Sequence, residues 1–303
     1  MTTPRAYQPP PALSPGDRVA AIAPASSFDR PSFEAGLALI AARYQVSYGA
    51  GLYEQQRYLA GTDERRFAEL AAALGDPAIR GVFCVRGGYG ATRLLGRLAA
   101  LPPAPPKPLV GFSDITALHL WLQSHGTVSV HGPVLTQLPL LPAATCARLF
   151  ALLESGTPPP PQRAAETYVD GVAEGPLLGG SLSMLTRVLG TPYMPDLEGA
   201  ILLLEDVGER PYRLDRMWTH LTLAGAFARV RGIALGTFVN CEERNADYRA
   251  ADVLRDLAAA TGLPCAAGFP IGHGDLNEPV PLGARVRLDA GARTLTFLEG
   301  AVA

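Results

Sequence analysis

The sequence lacks the features expected of a membrane, secreted or nucleic-acid-binding protein. It has 303 residues, of which 48% are hydrophobic and 18% charged, and a formal net charge of −2. Polar residues interrupt every apolar run well before the ~18 residues needed to span a bilayer. The near-neutral charge gives no electrostatic reason to expect nucleic acid or an anionic membrane as partner. Residues 1–18 have no apolar core of a signal peptide and predict a loose arm, so we expect a soluble cytoplasmic protein.

Cysteine and histidine are also scarce. The four cysteines, Cys84, Cys146, Cys241 and Cys265, show no CxxC spacing, so neither a disulfide framework nor a cysteine metal site is indicated. The five histidines form no HEXXH motif or other cluster with zinc spacing. We therefore predict that the protein holds no metal and no cofactor.

What the sequence does have is a regular alternation of short apolar runs with helical stretches. In the first half, runs at 18–24, 44–49, 81–85, 108–112 and 128–133 predict five strands. Strands that alternate with helices predict an α/β fold, here a flavodoxin-like domain with a parallel sheet. Ligands bind such sheets at the carboxyl ends of the strands. The loops of interest are therefore ASS, RGGYG, FSD and HGP.

The second half predicts a smaller domain of mixed β/α structure. A proline-rich run at 156–166 predicts a linker, which places the N-terminal domain in 1–155 and the C-terminal domain in 167–303. The apolar run at 200–207 predicts a buried strand. The tail, 280–300, alternates apolar and polar residues around a turn and predicts a half-buried hairpin.

Ser113, in GFSDIT, lies where the fourth strand is predicted to turn into a helix. A serine at such a position is most often a helix cap. The same geometry, a strand followed by an abrupt turn and a helix, is that of a nucleophile elbow, where the following N–H stabilises an oxyanion. The G-x-S-x-G pattern is only half met, because GFSDI ends in isoleucine. From the motif alone both roles remain open.

The loop RGGYG, at 86–90, also admits more than one role. Its glycines fit a tight turn that needs positive φ, or a phosphate site at a helix N-terminus. The dinucleotide pattern is not met, because Arg93 occupies the third glycine position, and the P-loop lysine and hydroxyl are absent. A third use fits better beside Ser113: small residues let the backbone approach a reacting carbonyl, and one N–H supplies half of an oxyanion hole.

A serine nucleophile needs a base and the base needs an orienting carboxylate. Among the histidines, only His131, at a strand end, and His273, between two glycines, are convincing candidates. Glu205 and Asp206 end the apolar strand ILLLEDV, where acids are costly unless they have partners. Because neighbouring side chains alternate on a strand, we expect only one of the two acids to face the site.

Taken together, these segments resemble the LD-carboxypeptidases, or muramoyltetrapeptide carboxypeptidases, a serine peptidase family that includes microcin C immunity proteins. Six segments carry the resemblance in order and spacing: RGGYGATRLL, GFSDIT, HGP, LLGGSLSML, LLLEDVGERPYRLDRM and GFPIGHGDLNEPVPLG. The usual motif has an asparagine after the double glycine, where this chain has Ser181. That departure concerns fine substrate contacts rather than the chemistry.

The resemblance implies a triad of Ser113, Glu205 and His273. It favours an oxyanion hole formed by the backbone N–H groups of Asp114 and Gly88. It implies that the nucleophile comes from the N-terminal domain and the acid and base from the C-terminal domain, with the site between them.

Binding of the substrate carboxylate is assigned less specifically. Arg86 and Gly87, in RGGYG, and His131 are the predicted substrate-binding residues.

The resemblance further implies a metal-independent homodimer that cleaves the terminal D-alanine from a muropeptide tetrapeptide in cytoplasmic recycling of cell-wall peptides. Two alternatives remain. One is an immunity-like hydrolase of peptidyl or aminoacyl nucleotides, which predicts an aromatic platform at Trp218. The other is a non-catalytic protein that holds a nucleotide or sugar phosphate at RGGYG, and it would leave Glu205 and His273 unexplained.

Overall fold

The computed structural model describes residues 6–102 and 104–303 of the chain. Its helices are α1 (Arg30–Ala41), α2 (Asp63–Gly75), α3 (Leu95–Leu98), α4 (Thr116–Ser124), α5 (Ala143–Glu154), α6 (Leu182–Val188), α7 (Pro211–Leu223) and α8 (Ala250–Thr261). Its strands are β1 (Arg18–Ile22), β2 (Gln45–Ser47), β3 (Gly81–Cys84), β4 (Leu109–Gly111), β5 (Ser129–His131), β6 (Gln162–Arg163), β7 (Glu166–Val169), β8 (Val172–Ser181), β9 (Ile201–Val207), β10 (Gly232–Val239), β11 (Cys265–Ala267), β12 (Val280–Leu282), β13 (Arg285–Asp289) and β14 (Thr294–Phe297).

The first sheet has the order β12-β5-β4-β3-β1-β2. Strands β1 to β5 are parallel and lie in the order 2-1-3-4-5, which is the flavodoxin-like order. The predicted α/β class and parallel sheet are therefore confirmed. Parallel strands buried on both faces need apolar side chains throughout, and every residue of β3 and β4 is buried.

The second sheet has eight strands in the order β6-β14-β13-β8-β9-β10-β11-β7. Strands β8 to β11 are parallel, and antiparallel strands flank them on both sides. This is the mixed β/α structure predicted for the second half. Within the predicted linker at 156–166, β6 pairs with β14, so this proline-rich segment contributes backbone hydrogen bonds to the sheet.

Two predicted segments differ in the structure. In the tail at 280–300, the predicted half-buried hairpin is formed by β13 and β14, whereas β12 crosses to the first sheet and pairs antiparallel with β5. The N-terminal arm is not loose from residue 6 onward. The Gln8 N–H donates to the Gly126 carbonyl at 2.7 Å, and Leu13 is 2% exposed because its side chain joins an apolar core. Backbone pairing and apolar burial therefore hold the N-terminal arm in place, although its sequence predicts no regular structure.

One apolar core joins the two sheets. Helix α4 of the first half packs against β8 and α6 of the second. Its Leu118 side chain is buried in the same cluster as Leu178 and Leu185. Burial of large aliphatic side chains is worth about 1.5–3 kcal/mol each, so this shared core holds the carboxyl end of β4 against the end of β8. Among residues 6–102 and 104–303, no helix is long and apolar enough to cross a membrane.

Candidate active site

Ser113 lies on a strained turn between β4 and α4. A 3₁₀ turn begins at Ser113 and leads directly into the helix. The φ of Ser113 is +63°, a conformation that costs a non-glycine residue about 1–3 kcal/mol and recurs at functional sites. The N-cap of this turn is Phe112 and not Ser113. The Ser113 Oγ lies instead 3.0 Å from the Nε2 of His273, which is the arrangement of a nucleophile elbow rather than of a helix cap.

His273 reaches Ser113 from the segment that connects the two sheets. Residues 268–279 leave β11 in the second sheet and enter β12 in the first. Two side chains hold the backbone of this segment: the Gly272 N–H donates to Asn277 Oδ1 at 3.0 Å, and the Gly274 N–H donates to Thr237 Oγ1 at 3.1 Å. The ring packs on Phe112, with centroids 4.7 Å apart. These contacts therefore hold the imidazole beside Ser113.

Glu205 completes a chain of three side chains. Its Oε2 lies 2.6 Å from the Nδ1 of His273, and its side chain is fully buried at the end of β9. Burial disfavours the imidazolium, but the hydrogen bond and charge of Glu205, with the charge of Asp206, outweigh it and raise the pKa of His273. A carboxylate on Nδ1 also leaves Nε2 free to accept a proton from Ser113. The structure thus brings together the three residues of the predicted triad.

The Asp206 side chain points away from Ser113, His273 and Glu205, as strand alternation predicts for the neighbour of Glu205. Its Oδ2 accepts the Ser183 N–H at 2.7 Å, at the start of α6. Burial, and then the negative charge of Glu205, raise the pKa of Asp206 to about 6. Ser181 stands at the N-cap of the same helix, and its Oγ accepts the Met184 N–H at 3.4 Å. The serine found in place of the usual asparagine therefore caps a helix beside the site.

The two backbone positions predicted to form an oxyanion hole lie on adjacent loops. Asp114 follows the nucleophile after β4, and Gly88 lies in the loop after the neighbouring strand β3. Gly88 has a φ of +97°, and a Cβ there would lie 2.4 Å from Ser26 Oγ. A Cβ on Gly87 would lie 2.8 Å from the Cβ of Ser113. Glycine at 87 therefore lets the loop approach Ser113 closely, and glycine at 88 lets it approach Ser26 in the loop after β1.

The predicted substrate-binding residues have different positions. Arg86 is exposed, and its Nη1 donates to the Ser27 carbonyl at 2.5 Å, in the loop after β1. Gly87 is buried against Ser113. His131 is 0% exposed, and its ring lies behind Phe112 with centroids 5.9 Å apart. Burial lowers the pKa of His131 well below its ordinary value. The ring is therefore shielded from solvent in this structure, and contact of His131 with substrate stays a prediction.

Several residues that shape the site were missed or only partly recognised in the sequence. Ser26 lies in the ASS loop, and its Oγ accepts the Tyr89 N–H at 3.0 Å. Thr237 and Asn277 hold the backbone on either side of His273. Their only sequence signal is a polar residue beside a predicted strand end, which many surface positions share. The buried carboxyl of Asp114 had a stronger signal, since a charge directly after the nucleophile is unusual in an apolar turn.

No metal is suggested by the side chains of the described ranges, 6–102 and 104–303. No group of three or more His, Cys, Asp or Glu residues there is arranged to hold a metal ion. The four cysteines are free thiols, and Cys84, Cys241 and Cys265 are buried.

Comparison with known proteins finds matches along most of the chain. Family models described as the N-terminal and C-terminal domains of LD-carboxypeptidases match residues 19–132 and 174–288. The murein tetrapeptide carboxypeptidase of Pseudomonas aeruginosa is 36% identical over 90% of this chain and 93% of its own length. The crystal structure of muramoyltetrapeptide carboxypeptidase from Oxalobacter formigenes superposes with a TM-score of 0.81 at 29% identity, covering 94% of this chain and 99% of that one.

The microcin C7 self-immunity protein MccF shares the fold. Its structure with glutamyl sulfamoyl guanosine has a TM-score of 0.85 at 21% identity, covering 97% of this chain and 99% of that one. At that identity the likeness concerns the fold alone.

Proposed function

This chain belongs to the LD-carboxypeptidase family of peptidases, and on that premise we propose that it releases the terminal D-alanine from muropeptide tetrapeptides by serine catalysis. One observation carries the proposal: the unbroken contact of Ser113 Oγ with His273 Nε2 at 3.0 Å and of His273 Nδ1 with Glu205 Oε2 at 2.6 Å. Nucleophile, base and orienting carboxylate in hydrogen-bond reach are the requirements of acyl transfer.

The proposed reaction has two steps. Ser113 Oγ attacks the carbonyl before the D-alanine while His273 takes its proton, and Glu205 stabilises the imidazolium that forms. The backbone N–H groups of Asp114 and Gly88 bind the oxyanion of the tetrahedral intermediate, and His273 then protonates the leaving amine. Water activated by His273 hydrolyses the acyl-enzyme. Losing one oxyanion donor typically costs ~10²–10³ in rate, so the two loops contribute to catalysis beside the three side chains.

The alternative substrates receive less support. An aminoacyl-nucleotide hydrolase was expected to use Trp218 as a platform for the base. Trp218 is 1% exposed and stacks on Phe227 with centroids 4.7 Å apart, so its ring is not accessible to a substrate. A non-catalytic phosphate-binding protein leaves the alignment of Glu205 and His273 on Ser113 without a purpose. We therefore propose the muropeptide as substrate. We also propose that the protein acts in the cytoplasm as a homodimer.

The experiment that tests this proposal measures D-alanine release from a muramoyl tetrapeptide in the presence of a chelator. The wild-type protein should release D-alanine, and Ser113→Ala should lose activity by a factor on the order of 10⁶, as when a serine nucleophile is removed. Ser14→Ala, at an exposed serine before β1, is the matched control and should retain full activity. Undiminished release by Ser113→Ala would contradict the role of Ser113 as nucleophile. Absence of release by the wild type would contradict the muropeptide assignment.

A further inference from the structure

A buried carboxylate joins the two loops that carry the proposed oxyanion donors. The Asp114 side chain is 1% exposed and lies between the turn after β4 and the loop after β3. Its Oδ2 accepts the N–H of Ala91 at 2.8 Å, across 23 residues of sequence. Ala91 itself is fully buried, so this N–H has no access to water. A buried backbone donor of this kind is strongly held to its acceptor, because an alternative partner is absent.

The loop after β3 is held at three consecutive residues by three different elements. The Tyr89 N–H donates to Ser26 Oγ at 3.0 Å, in the loop after β1. The Gly90 carbonyl accepts from Arg66 Nη1 at 2.9 Å, on α2. The Ala91 N–H donates to Asp114. Gly88 directly precedes this anchored stretch, so the direction of its N–H follows from how these contacts fix the backbone.

We propose that the Asp114 carboxylate is a positioning residue that locks the Gly88 loop onto the Ser113 turn, so that both oxyanion donors are aligned before substrate binds. Asp114 then has two functions in one residue: its N–H is one donor, and its side chain fixes the loop that carries the other. The inference rests on the proposed function, because it concerns the oxyanion hole of that reaction. Preorganised donors stabilise a transition state because they need no rearrangement when charge develops.

Ser26 and Arg66 anchor the same loop but differ from Asp114 in one respect. Neither belongs to the turn that carries the nucleophile: Ser26 follows β1, and Arg66 lies in α2. Their contacts fix the loop relative to the rest of the first sheet. Of these three anchors, Asp114 fixes the loop relative to Ser113. The oxyanion hole depends on the distance between this loop and Ser113.

The first test measures amide hydrogen exchange at residues 87–91 in the wild type, Asp114→Ala and Asp114→Asn. Asp114→Ala removes the acceptor and should speed exchange there at least about tenfold, whereas exchange in α8 should not change. Asp114→Asn keeps one acceptor oxygen without the charge and should restore part of the protection. Asp206→Asn is the matched control, since Asp206 is a buried carboxylate that also accepts a backbone N–H beside a triad residue. It should leave exchange at 87–91 at the wild-type rate.

The second test follows kcat and KM for two substrates, the muramoyl tetrapeptide and the activated ester p-nitrophenyl acetate. Asp114→Ala should lower kcat ~10²–10³-fold, as the loss of one oxyanion donor does, with KM within about twofold of the wild type. The kcat of Asp114→Asn should lie between that of the wild type and that of Asp114→Ala. If the wild type cleaves only the ester, the proposed substrate fails, whereas the positioning role is still measured on the ester.

Three outcomes would overturn the positioning role. The first is amide exchange at residues 87–91 at the wild-type rate in every folded Asp114 variant. A loss of activity that appears in KM alone is the second. Faster exchange throughout the protein, α8 included, in step with the loss of kcat is the third, because it would show a general loss of stability. Should Asp114→Ala fail to fold, the exchange and kcat of Asp114→Asn decide, since any folded variant must loosen this loop selectively.

Discussion

The Oγ of Ser113 lies 3.0 Å from the Nε2 of His273, although 160 residues separate them in sequence. Ser113 follows a strand of the first sheet, whereas His273 lies on the segment that leaves the second sheet and returns to the first as β12. Pairing of β12 with β5 therefore fixes the position of the imidazole relative to the serine. The site exists only when the two halves of the chain are packed together.

Replacing Glu205 with Gln should move the pH dependence of kcat/KM to lower pH. Proton transfer needs neutral His273, and the pKa of His273 is raised above its ordinary 6.5 because the contact with Glu205 and the charge of Asp206 outweigh burial. In the wild type, kcat/KM should therefore rise with pH through a limb above 6.5. Loss of the Glu205 charge lowers that pKa, and the acid limb follows it.

The same substitution should lower kcat by ~10⁴, the loss seen when the orienting carboxylate of a serine peptidase becomes an amide. The pH–rate profile of D-alanine release measures both effects. Glu209→Gln serves as control, because Glu209 pairs with Arg213 on the surface and not with His273. A Glu205→Gln profile with the wild-type limb would contradict a role for Glu205 in setting the pKa of His273.

Gly88→Ala should lose activity far more than stability. The φ of Gly88 is +97°, and the added Cβ would lie 2.4 Å from Ser26 Oγ, so the loop must move away and take its N–H with it. We expect kcat to fall ~10²–10³-fold, as for the loss of one oxyanion donor. Gly190→Ala is the matched control, because Gly190 has a φ of +79° with no atom within 4 Å of the added Cβ.

Both alanines suffer a similar backbone penalty of about 1–2 kcal/mol. The free energies of unfolding, measured in urea, should therefore fall in both variants, and further in Gly88→Ala because of the clash with Ser26, while only Gly88→Ala loses kcat. Equal activities in the two proteins would argue against Gly88 as a donor.

How much of this arrangement the sequence can predict depends on the range of the interactions involved. Apolar runs and their spacing predict β1, β3, β4 and β9, because such strands are buried on both faces and need apolar side chains at every position. They do not predict β8, whose sequence VAEGPLLGGS is interrupted by a proline and three glycines. Glycine and proline are depleted in strands, so the longest strand of the second sheet has the composition of a loop.

For the site, too, local sequence patterns predict candidate residues but not which of them come together. Ser113 and Glu205 lie at the ends of predicted strands and His273 lies between two glycines, which makes them candidates, but the pairing of one with another comes from tertiary packing and from the family resemblance. His131 satisfies the same criterion at the end of β5, yet its ring turns into the core behind Phe112. A strand end fixes where a residue lies along the sheet edge, whereas the side of the strand it faces decides whether it meets substrate.

Asp206→Asn should change how stability depends on pH. The pKa of Asp206 is raised from 3.8 to about 6, chiefly by burial and then by the charge of Glu205. Between these values the folded protein holds a proton that the unfolded chain has released, so stability falls as pH rises. One such proton corresponds to a slope of about 1.4 kcal/mol per pH unit.

Asparagine does not titrate, so the free energy of unfolding of Asp206→Asn relative to the wild type should increase from pH 4 to pH 6 and then level off. Urea unfolding at pH 4, 5, 6 and 7 measures this difference. Asp196→Asn, at an exposed aspartate paired with Arg229 on the surface, provides the comparison and should show no such rise. A difference between Asp206→Asn and the wild type that stays constant with pH would refute the raised pKa.

Arg86→Ala should weaken binding of a peptide with a free terminal carboxylate and have little effect on the chemical step. The guanidinium is exposed and donates to the Ser27 carbonyl at 2.5 Å, and Arg86 directly precedes Gly87, which is buried against Ser113. A hydrogen bond to a charged group is worth about 1.5–3 kcal/mol, so KM should rise by about 10–100-fold at nearly constant kcat. Arg80→Ala makes the same charge change at the opposite end of β3, and its KM should match the wild type.

The tetrapeptide amide, which lacks the terminal carboxylate, separates a specific contact from a general electrostatic effect. Wild type and Arg86→Ala should bind the amide equally weakly, because the partner of the guanidinium is absent in both cases. If Arg86→Ala weakens binding of the acid and the amide alike, Arg86 acts through the shape of the RGGYG loop and another cation holds the carboxylate. If it weakens neither, the terminal carboxylate binds away from this loop.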